Sequence, residues 1–259
     1  MFISEGLSVF LKEVITIDGP AGSGKSTAAR LTAHRLNATM LDTGAIYRCV
    51  AYAAVNRNIA TGDPGSLVEM IGETEIRFDS GSRENPAGRI FLDGLDVTTK
   101  IRTPEISRAA SEIAALPEVR EALLELQRKQ ALQGEQGVMV AEGRDMGTVV
   151  FPDAPHKFFL SADPATRAER RYRELLEMGR ATSLEEVLAD QEQRDLRDRN
   201  RQTSPLRPAD DACVIDSTKM TVEEVVDKIL EKIEEKRNNP GFLNRLEIGR
   251  LNQTGRTDR

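Results

Sequence analysis

Apolar positions along the chain alternate between two periods, and the switches between them predict a series of strands and helices. A β-branched run predicts a strand over 14–18. It leads straight into Gly19-Pro20-Ala21-Gly22-Ser23-Gly24-Lys25-Ser26-Thr27, and a helix is predicted over 26–36. A strand over 39–41 and a helix from 45 to about 58 follow, and Gly62-Asp63-Pro64-Gly65 reads as a break. From 75 to 97 the period falls to two. Ile76 and Phe78, a turn-rich stretch at 80–88, and runs at 89–93 and 95–97 predict a small antiparallel hairpin set. Thr103-Pro104-Glu105 puts a cap before a proline at the first helical position, and Leu116-Pro117-Glu118 restarts a helix that Gly134 ends. Further strands are predicted at 137–141, 156–161 and 212–216. Helices are opened by Asp163-Pro164, by the Ser183-Leu184-Glu185-Glu186 capping box and by the Thr221-x-x-Glu224 box.

Strands alternating with helices imply an α/β fold: a parallel sheet flanked by helices, interrupted by one antiparallel insert. The predicted organisation is a core over 13–64 and 103–236, an insert over 65–102, and flexible termini at 1–12 and 237–259. A helix, a break at Gly179 and another helix predict a mobile helical lid over about 167–185. No internal repeat interrupts this order. The segment from 237 onward has no period and carries five Arg against Glu247 and Asp258.

Composition narrows the function classes. At 259 residues, 39% apolar and 30% charged, the chain suits one large domain with a sub-domain, and no apolar run approaches the roughly 18–20 residues of a membrane span. Cys49 and Cys213, with His34 and His156, are too few for a disulfide framework or a His/Cys metal centre, and they fit a reducing compartment. The start MFISEGLSVFLKE has a glutamate among its apolar residues and no basic opening, so it does not read as a secretory leader, and a cytoplasmic location is expected. A net charge of −6 argues against a stable nucleic-acid partner. Yet nine of the 36 basic residues are lysine and the other 27 are arginine, the planar fork that grips phosphate bidentately.

The string Gly19-x-x-x-x-Gly24-Lys25-Ser26 is the P-loop pattern. Its glycines let successive backbone N–H groups turn inward around a polyphosphate, and the following helix adds the positive end of its dipole. Lys25 reaches the outer phosphates and Ser26 supplies a magnesium ligand. A purine nucleoside triphosphate with Mg2+ is expected. A switch GTPase would need an Asn-Lys-x-Asp guanine reader, and that string is absent. A motor ATPase would show an apolar run ending in Asp-Glu, whereas Gly137-Val138-Met139-Val140-Ala141-Glu142 leads into Gly143-Arg144-Asp145. A small-molecule kinase remains.

An acceptor that is itself a phosphate must be held by several cations. Tyr47 and Arg48 fall on the first turn of a helix, and Arg144 and Asp145 lie just past a strand's carboxyl end. Arg194, Asp198 and Arg201 share one helical stripe at i, i+4, i+7, for which a solvated helix face is the plain alternative. Arg167, Arg170, Arg171 and Arg173 form a third set, placed to swing over the triphosphate with the lid. Two rivals stay open: a kinase for an unphosphorylated metabolite, with an Asp on the acceptor hydroxyl, and a nucleotide-binding regulator without turnover.

Four strings, Ile15-Thr16-Ile17-Asp18-Gly19-Pro20, Leu41-Asp42-Thr43-Gly44-Ala45-Ile46-Tyr47-Arg48, Glu142-Gly143-Arg144-Asp145-Met146-Gly147-Thr148-Val149-Val150-Phe151-Pro152-Asp153-Ala154 and Arg197-Asp198-Arg199-Asn200-Arg201, resemble the bacterial cytidylate kinases of the nucleoside monophosphate kinase group. The resemblance spans about 14–236 and implies phosphoryl transfer from ATP to CMP or dCMP, with an enlarged monophosphate-binding insert. By the same resemblance Arg48, Arg144 and Arg201 hold the CMP phosphate and Arg194 with Asp198 the sugar. Ser111, Arg120 and Asp145 would read cytosine, and Thr43 and Tyr47 would join the acceptor site. A carboxylate suits cytosine's exocyclic amino donor, beside ring acceptors that suit Arg or Ser. Lys25 with Arg48, Arg144 and Arg201 would form the catalytic set. The loop residues Gly19 to Thr27, with Arg170, would hold ATP. A monomer is expected. Two positions depart from the family pattern: Thr43 where serine is frequent, and Glu142 where aspartate is common.

Overall fold

The computed structural model describes residues 13–79, 88–132 and 137–239. Strand β1 (Glu13–Asp18) passes through the glycine loop into α1 (Lys25–Arg35), and β2 (Thr39–Asp42) runs directly into α2 (Thr43–Asn56). Next come α3 (Pro64–Glu73), β3 (Ile76–Asp79), β4 (Arg89–Leu92), β5 (Leu95–Asp96) and a short 3-10 turn at Lys100–Arg102. Helices α4 (Pro104–Ile113) and α5 (Pro117–Leu132) lead to β6 (Val138–Gly143), a π-helical turn at Met146–Val150, and β7 (His156–Ser161). The chain continues with α6 (Pro164–Glu177), α7 (Leu184–Asn200), β8 (Cys213–Asp216) and α8 (Val222–Arg237).

Among the described residues five strands form one sheet in the order β2-β6-β1-β7-β8, and every pairing in it is parallel. A parallel sheet must be covered on both faces. Ile15, Ile17, Val140, Phe158 and Ile215 pack on one side with Ala28 and Ala29 of α1 and Val226, Ile229 and Ile233 of α8. Met139 and Ala141 point to the other side, where Ile46 and Val50 of α2, Ile113 of α4 and Leu123 of α5 bury them. Asp18 is in register with Gly143, and Asp42 with Glu142. The carboxyl ends of β1, β2 and β6 therefore open onto one crevice, where ligands collect in open α/β sheets.

Strand β1 begins at an ionic clasp on the far end of the sheet. The Glu13 carboxylate lies 2.6 Å from Nε2 of His156 and accepts from Arg237 at 2.9 and 2.7 Å. Arg237, expected in a flexible tail, is thus the last residue of α8 and is tied to the first strand. The expected flexible segments at 1–12 and 240–259, most of the turn-rich stretch at 80–88, and the expected stop at Gly134 lie outside the described residues.

The antiparallel set forms as the period-two pattern predicts, in the order β3-β4-β5. Helix α3 departs from the sequence pattern, in which Gly62-Asp63-Pro64-Gly65 reads as a break. Asp63 instead caps the helix by accepting from the Ser66 N–H at 3.2 Å, with Pro64 in the first turn, the same device that opens α4 and α6. Leu67 and Met70 of α3 and Ile76, Ile90 and Leu92 of the small sheet join the apolar cluster of α2, α4 and α5, so this segment shares the main core. Among the described residues no helix is long and apolar enough to cross a membrane.

Candidate active site

The glycine loop closes the carboxyl end of β1. Gly19, Gly22 and Gly24 have φ of 154, 75 and 85°, all in the region that favours glycine. At Gly19 a Cβ would fall 2.2 Å from the Leu160 carbonyl oxygen of β7, and at Gly22 it would fall 2.9 Å from the Arg167 carbonyl oxygen. The loop is therefore wedged between the sheet and α6, and no side chain fits at either place. Helices α2, α3, α4, α6, α7 and α8 cap their N-termini with the side chains of Asp42, Asp63, Thr103, Asp163, Ser183 and Thr221. At α1, Gly24 takes that position and no side chain caps. Its backbone N–H groups and dipole face the crevice, the arrangement that receives an anion.

A cavity of about 1620 Å³ runs from this loop across the carboxyl ends of the strands. On the loop side it is lined by Ala21, Gly22, Ser23, Gly24, Lys25, Ser26 and Thr27. Gly19 and Pro20, expected to bind the nucleotide, do not line it: Gly19 packs on β7, and Pro20 offers its carbonyl to Lys25 Nζ at 3.4 Å. Burial lowers the pKa of Lys25, helped by the nearby Arg144 and Arg194. The hydroxyl of Ser26 donates to the Glu142 carboxylate, 2.9 and 2.8 Å from its two oxygens. Burial and the neighbouring Asp42 raise Glu142, while Asp42, despite its own burial, is held below the usual range by Arg48. A hydroxyl beside two carboxylates is an all-oxygen donor set, which suits a hard divalent cation.

Opposite the loop the expected arginines converge from distant stretches. Arg48 of α2, Arg144 after β6, Arg194 of α7 and Arg201 at the end of α7 all line the cavity, together with Thr43, Tyr47, Ser111, Arg120, Asp145 and Asp198. Arg144 donates to Asp198 at 3.0 Å, Arg201 lies 3.8 Å from the same carboxylate, and Arg48 donates to Asp42 at 3.2 Å. Although burial would raise Asp198, Arg144, Arg194 and Arg201 hold it below the usual range. Burial, with Arg144 and Arg48 nearby, pushes Arg194 down to about 10. These cations outnumber the carboxylates between them, and they are crowded into low dielectric. Buried Nε of Arg48, Nε of Arg194, Nη2 of Arg201 and Oγ of Ser111 have no hydrogen-bond partner among the described residues. Buried polar atoms are normally paired, so these donors on one cavity are available to a ligand with acceptor groups.

The Arg120 guanidinium makes a short ion pair with Asp145 and lies over the Tyr47 ring, 5.5 Å from its centroid. Burial pushes the Tyr47 phenol up to about 12, so it stays a neutral wall. Thr43 spends its hydroxyl proton on the Glu142 carbonyl at 2.7 Å and ties α2 to β6. The Arg194-Asp198-Arg201 stripe is no solvated face, since Asp198 and Arg201 are buried.

The lid set divides in a way that spacing does not reveal. Arg170 and Arg171 line the cavity, as does Arg180, and Arg170 is steadied by the Ser217 carbonyl at 2.6 Å. Arg167 is a correction. It is buried, pairs with Asp195 at 2.7 Å and donates to the carbonyls of Ala162 and Ala21 at 3.0 Å each, so it staples α6 to α7 and to the loop. Arg173 faces solvent and pairs with Glu169. Gly179, at φ 71°, ends α6 where predicted, and Ala168, Leu175 and Val187 form a separate small apolar cluster between the two helices. Arg102 and Arg108 also line the cavity and were not singled out. Their only signal was position, immediately before and within the capped helix α4.

The cytidylate kinase family model matches residues 15–235. The chain is 49% identical over 222 residues to a cytidylate kinase of Desulfitobacterium hafniense (strain Y51), covering 86% of this chain and 93% of that protein. It is 44% identical over 227 residues to one from Shewanella halifaxensis (strain HAW-EB4), covering 88% and 97%. It is 46% identical over 223 residues to one from Vibrio parahaemolyticus serotype O3:K6, covering 86% and 96%. With the family model matched over most of the chain and relatives 44–49% identical over nearly their whole length, the chain belongs to the cytidylate kinase family.

Proposed function

We propose that this chain transfers the γ-phosphoryl group of ATP to CMP or dCMP, giving ADP and CDP or dCDP. The observation that carries it is the convergence of Arg48, Arg144, Arg194 and Arg201 on one cavity facing the glycine loop, with buried N–H groups left unpaired there. Two mutually repelling phosphates have to be brought within bonding distance, and the two cation sets supply that attraction from opposite sides.

In this reading the loop N–H groups and Lys25 hold the β- and γ-phosphates, while Arg170, Arg171 and Arg180 cover them from the lid. Arg48, Arg144 and Arg201 hold the CMP phosphate in line, and Arg194 and Asp198 orient its sugar. Asp145, fixed by Arg120, accepts from the cytosine amino group, and Ser111 meets a ring acceptor. Uracil reverses that donor and would leave Asp145 facing a carbonyl. An acceptor phosphate is already ionised near neutral pH, so no general base is needed. Ser26, Glu142 and Asp42 would hold Mg2+, which when bound supplies positive charge that neutralises the phosphate oxygens. Residues 65–102 serve as the monophosphate-binding insert, whose last residue, Arg102, lines the cavity, and the lid lies over about 167–185, at α6 and the start of α7. All of these residues come from a single chain, so a monomer suffices. Free thiols at Cys49 and Cys213 fit a cytoplasmic location.

A coupled ADP-release assay with CMP, dCMP, UMP, AMP and no acceptor tests the assignment. Rapid turnover with CMP and dCMP, slow turnover with UMP and AMP, and almost none without acceptor is the expected pattern. Equal rates with and without CMP would sink it.

A further inference from the structure

The turn that presents Arg144 and Asp145 continues into the π-helical residues Met146–Val150, and charged side chains from two other elements hold its two ends. Asp18, buried at the end of β1, accepts the backbone N–H groups of Met146 and Gly147 at 2.9 and 2.8 Å. Arg128 of α5 donates from Nε to the Val150 carbonyl at 3.0 Å and from Nη2 to the Val149 carbonyl at 3.1 Å. A single π turn leaves most of its terminal N–H and C=O groups without partners inside it. Here an anion satisfies two at the positive pole and a cation two at the negative pole.

Neither Asp18 nor Arg128 lines the cavity. Their effect on it runs through Asp145, which caps the turn: its carbonyl accepts from the N–H groups of Val149 and Val150 at 2.9 and 3.2 Å. The turn is also pressed against β1, since a Cβ at Gly147 would stand 2.9 Å from Thr16 Oγ1. A small rotation of the turn therefore rotates the Asp145 and Arg144 side chains together. Burial drives Asp18 up to about 6, while the two backbone N–H groups it accepts favour its ionised form.

We infer that Asp18 and Arg128 are positioning residues that clamp the π turn at its two poles and thereby set the pose in which Asp145 selects the acceptor base and Arg144 grips its phosphate. The inference rests on the proposed role of Asp145 as cytosine reader. Asp18 immediately precedes Gly19, so one carboxylate joins the end of the strand that bears the donor loop to the turn that bears the acceptor reader.

The test compares Asp18→Asn, Arg128→Met and Asp145→Asn in the full chain, with kcat and KM measured for CMP and for UMP at saturating ATP and melting followed by circular dichroism. Asp18→Asn is expected to raise the CMP KM about tenfold and lower the CMP-over-UMP ratio of kcat/KM by a similar factor, and Arg128→Met to do both by about threefold. Arg128→Lys, which keeps one donor, is expected to recover part of the ratio. A purely structural role would lower melting and reduce both acceptors in the same proportion, and an unchanged ratio in the Asp18 and Arg128 variants overturns the inference. If Asp145→Asn itself leaves the ratio unchanged, the reading of Asp145 fails. If it relaxes the ratio and the other two do not, only the clamp fails. Arg128 is an exposed residue, so its variant carries the comparison should Asp18→Asn not fold.

Discussion

The two halves of the cavity are built on different principles. The proposed donor side centres on one contiguous loop, Ala21 to Thr27, that offers mainly backbone N–H groups, with lid arginines above it. The acceptor side is a set of guanidinium groups from α2, α5, α7 and the turn after β6, brought together only by the completed sheet. A backbone cradle is fixed by local conformation and tolerates no Cβ at its tight points. A side-chain cluster is fixed by long-range packing and by carboxylates such as Asp198 and Asp145 that pair with the arginines and hold them in place. Damage to the first should appear in the use of ATP, and damage to the second in the use of CMP.

The largest effect is expected on the acceptor side. Arg201→Ala should lower kcat/KM for CMP by about 10³-fold, with ATP affinity measured by titration calorimetry staying within about twofold. Unchanged turnover would remove Arg201 from the site. On the donor side, Gly22→Ala combines a left-handed φ with a clash against the Arg167 carbonyl, and should raise the ATP KM by roughly 10–100-fold while the CMP KM moves far less. A parallel rise in both constants would dissolve the distinction between the halves.

A control lies at the other end of the sheet. Burial would raise Glu13, but His156 and Arg237 hold it down at about 2, against an ordinary value of 4.5. A carboxylate with a lowered native pKa adds stability that is fully present above pH 4.5 and is lost as the pH falls toward 2. Glu13→Gln should therefore lower the unfolding free energy by about 2 kcal/mol at pH 7, with the difference from the parent chain shrinking through that acid window, and leave both KM values unchanged. Urea melts at several pH values check it. The smallest effect is expected from Thr43→Ser, which keeps the hydroxyl that donates to the Glu142 carbonyl: kcat within about twofold.

Legibility in the sequence follows the same division. The donor loop was readable because its chemistry is a local string. The cavity-lining arginines are legible only as residues at element ends, and the resemblance supplies their grouping. Where orientation decided the role, spacing failed. Arg167 and Arg170 sit less than one turn apart on α6, yet Arg167 is buried in an ion pair with Asp195 and Arg170 faces the cavity. Helix α3 is hidden because Gly62 and Gly65 flank Asp63-Pro64 and obscure a cap-proline start identical in kind to those of α4 and α6. Asp18 left no trace because its partners are backbone groups 128 and 129 positions away.

The sheet order has a consequence for how the molecule is made. Among the described strands β1 is synthesised first, and its partners there are β6 and β7, which begin at Val138 and His156. Until those residues have been synthesised, the nascent chain carries a glycine loop with no scaffold and an apolar strand with both edges open, a form prone to self-association. Nucleotide binding by this chain is thus a late event of biosynthesis, and a chaperone's interest in it should end when the middle of the sheet closes.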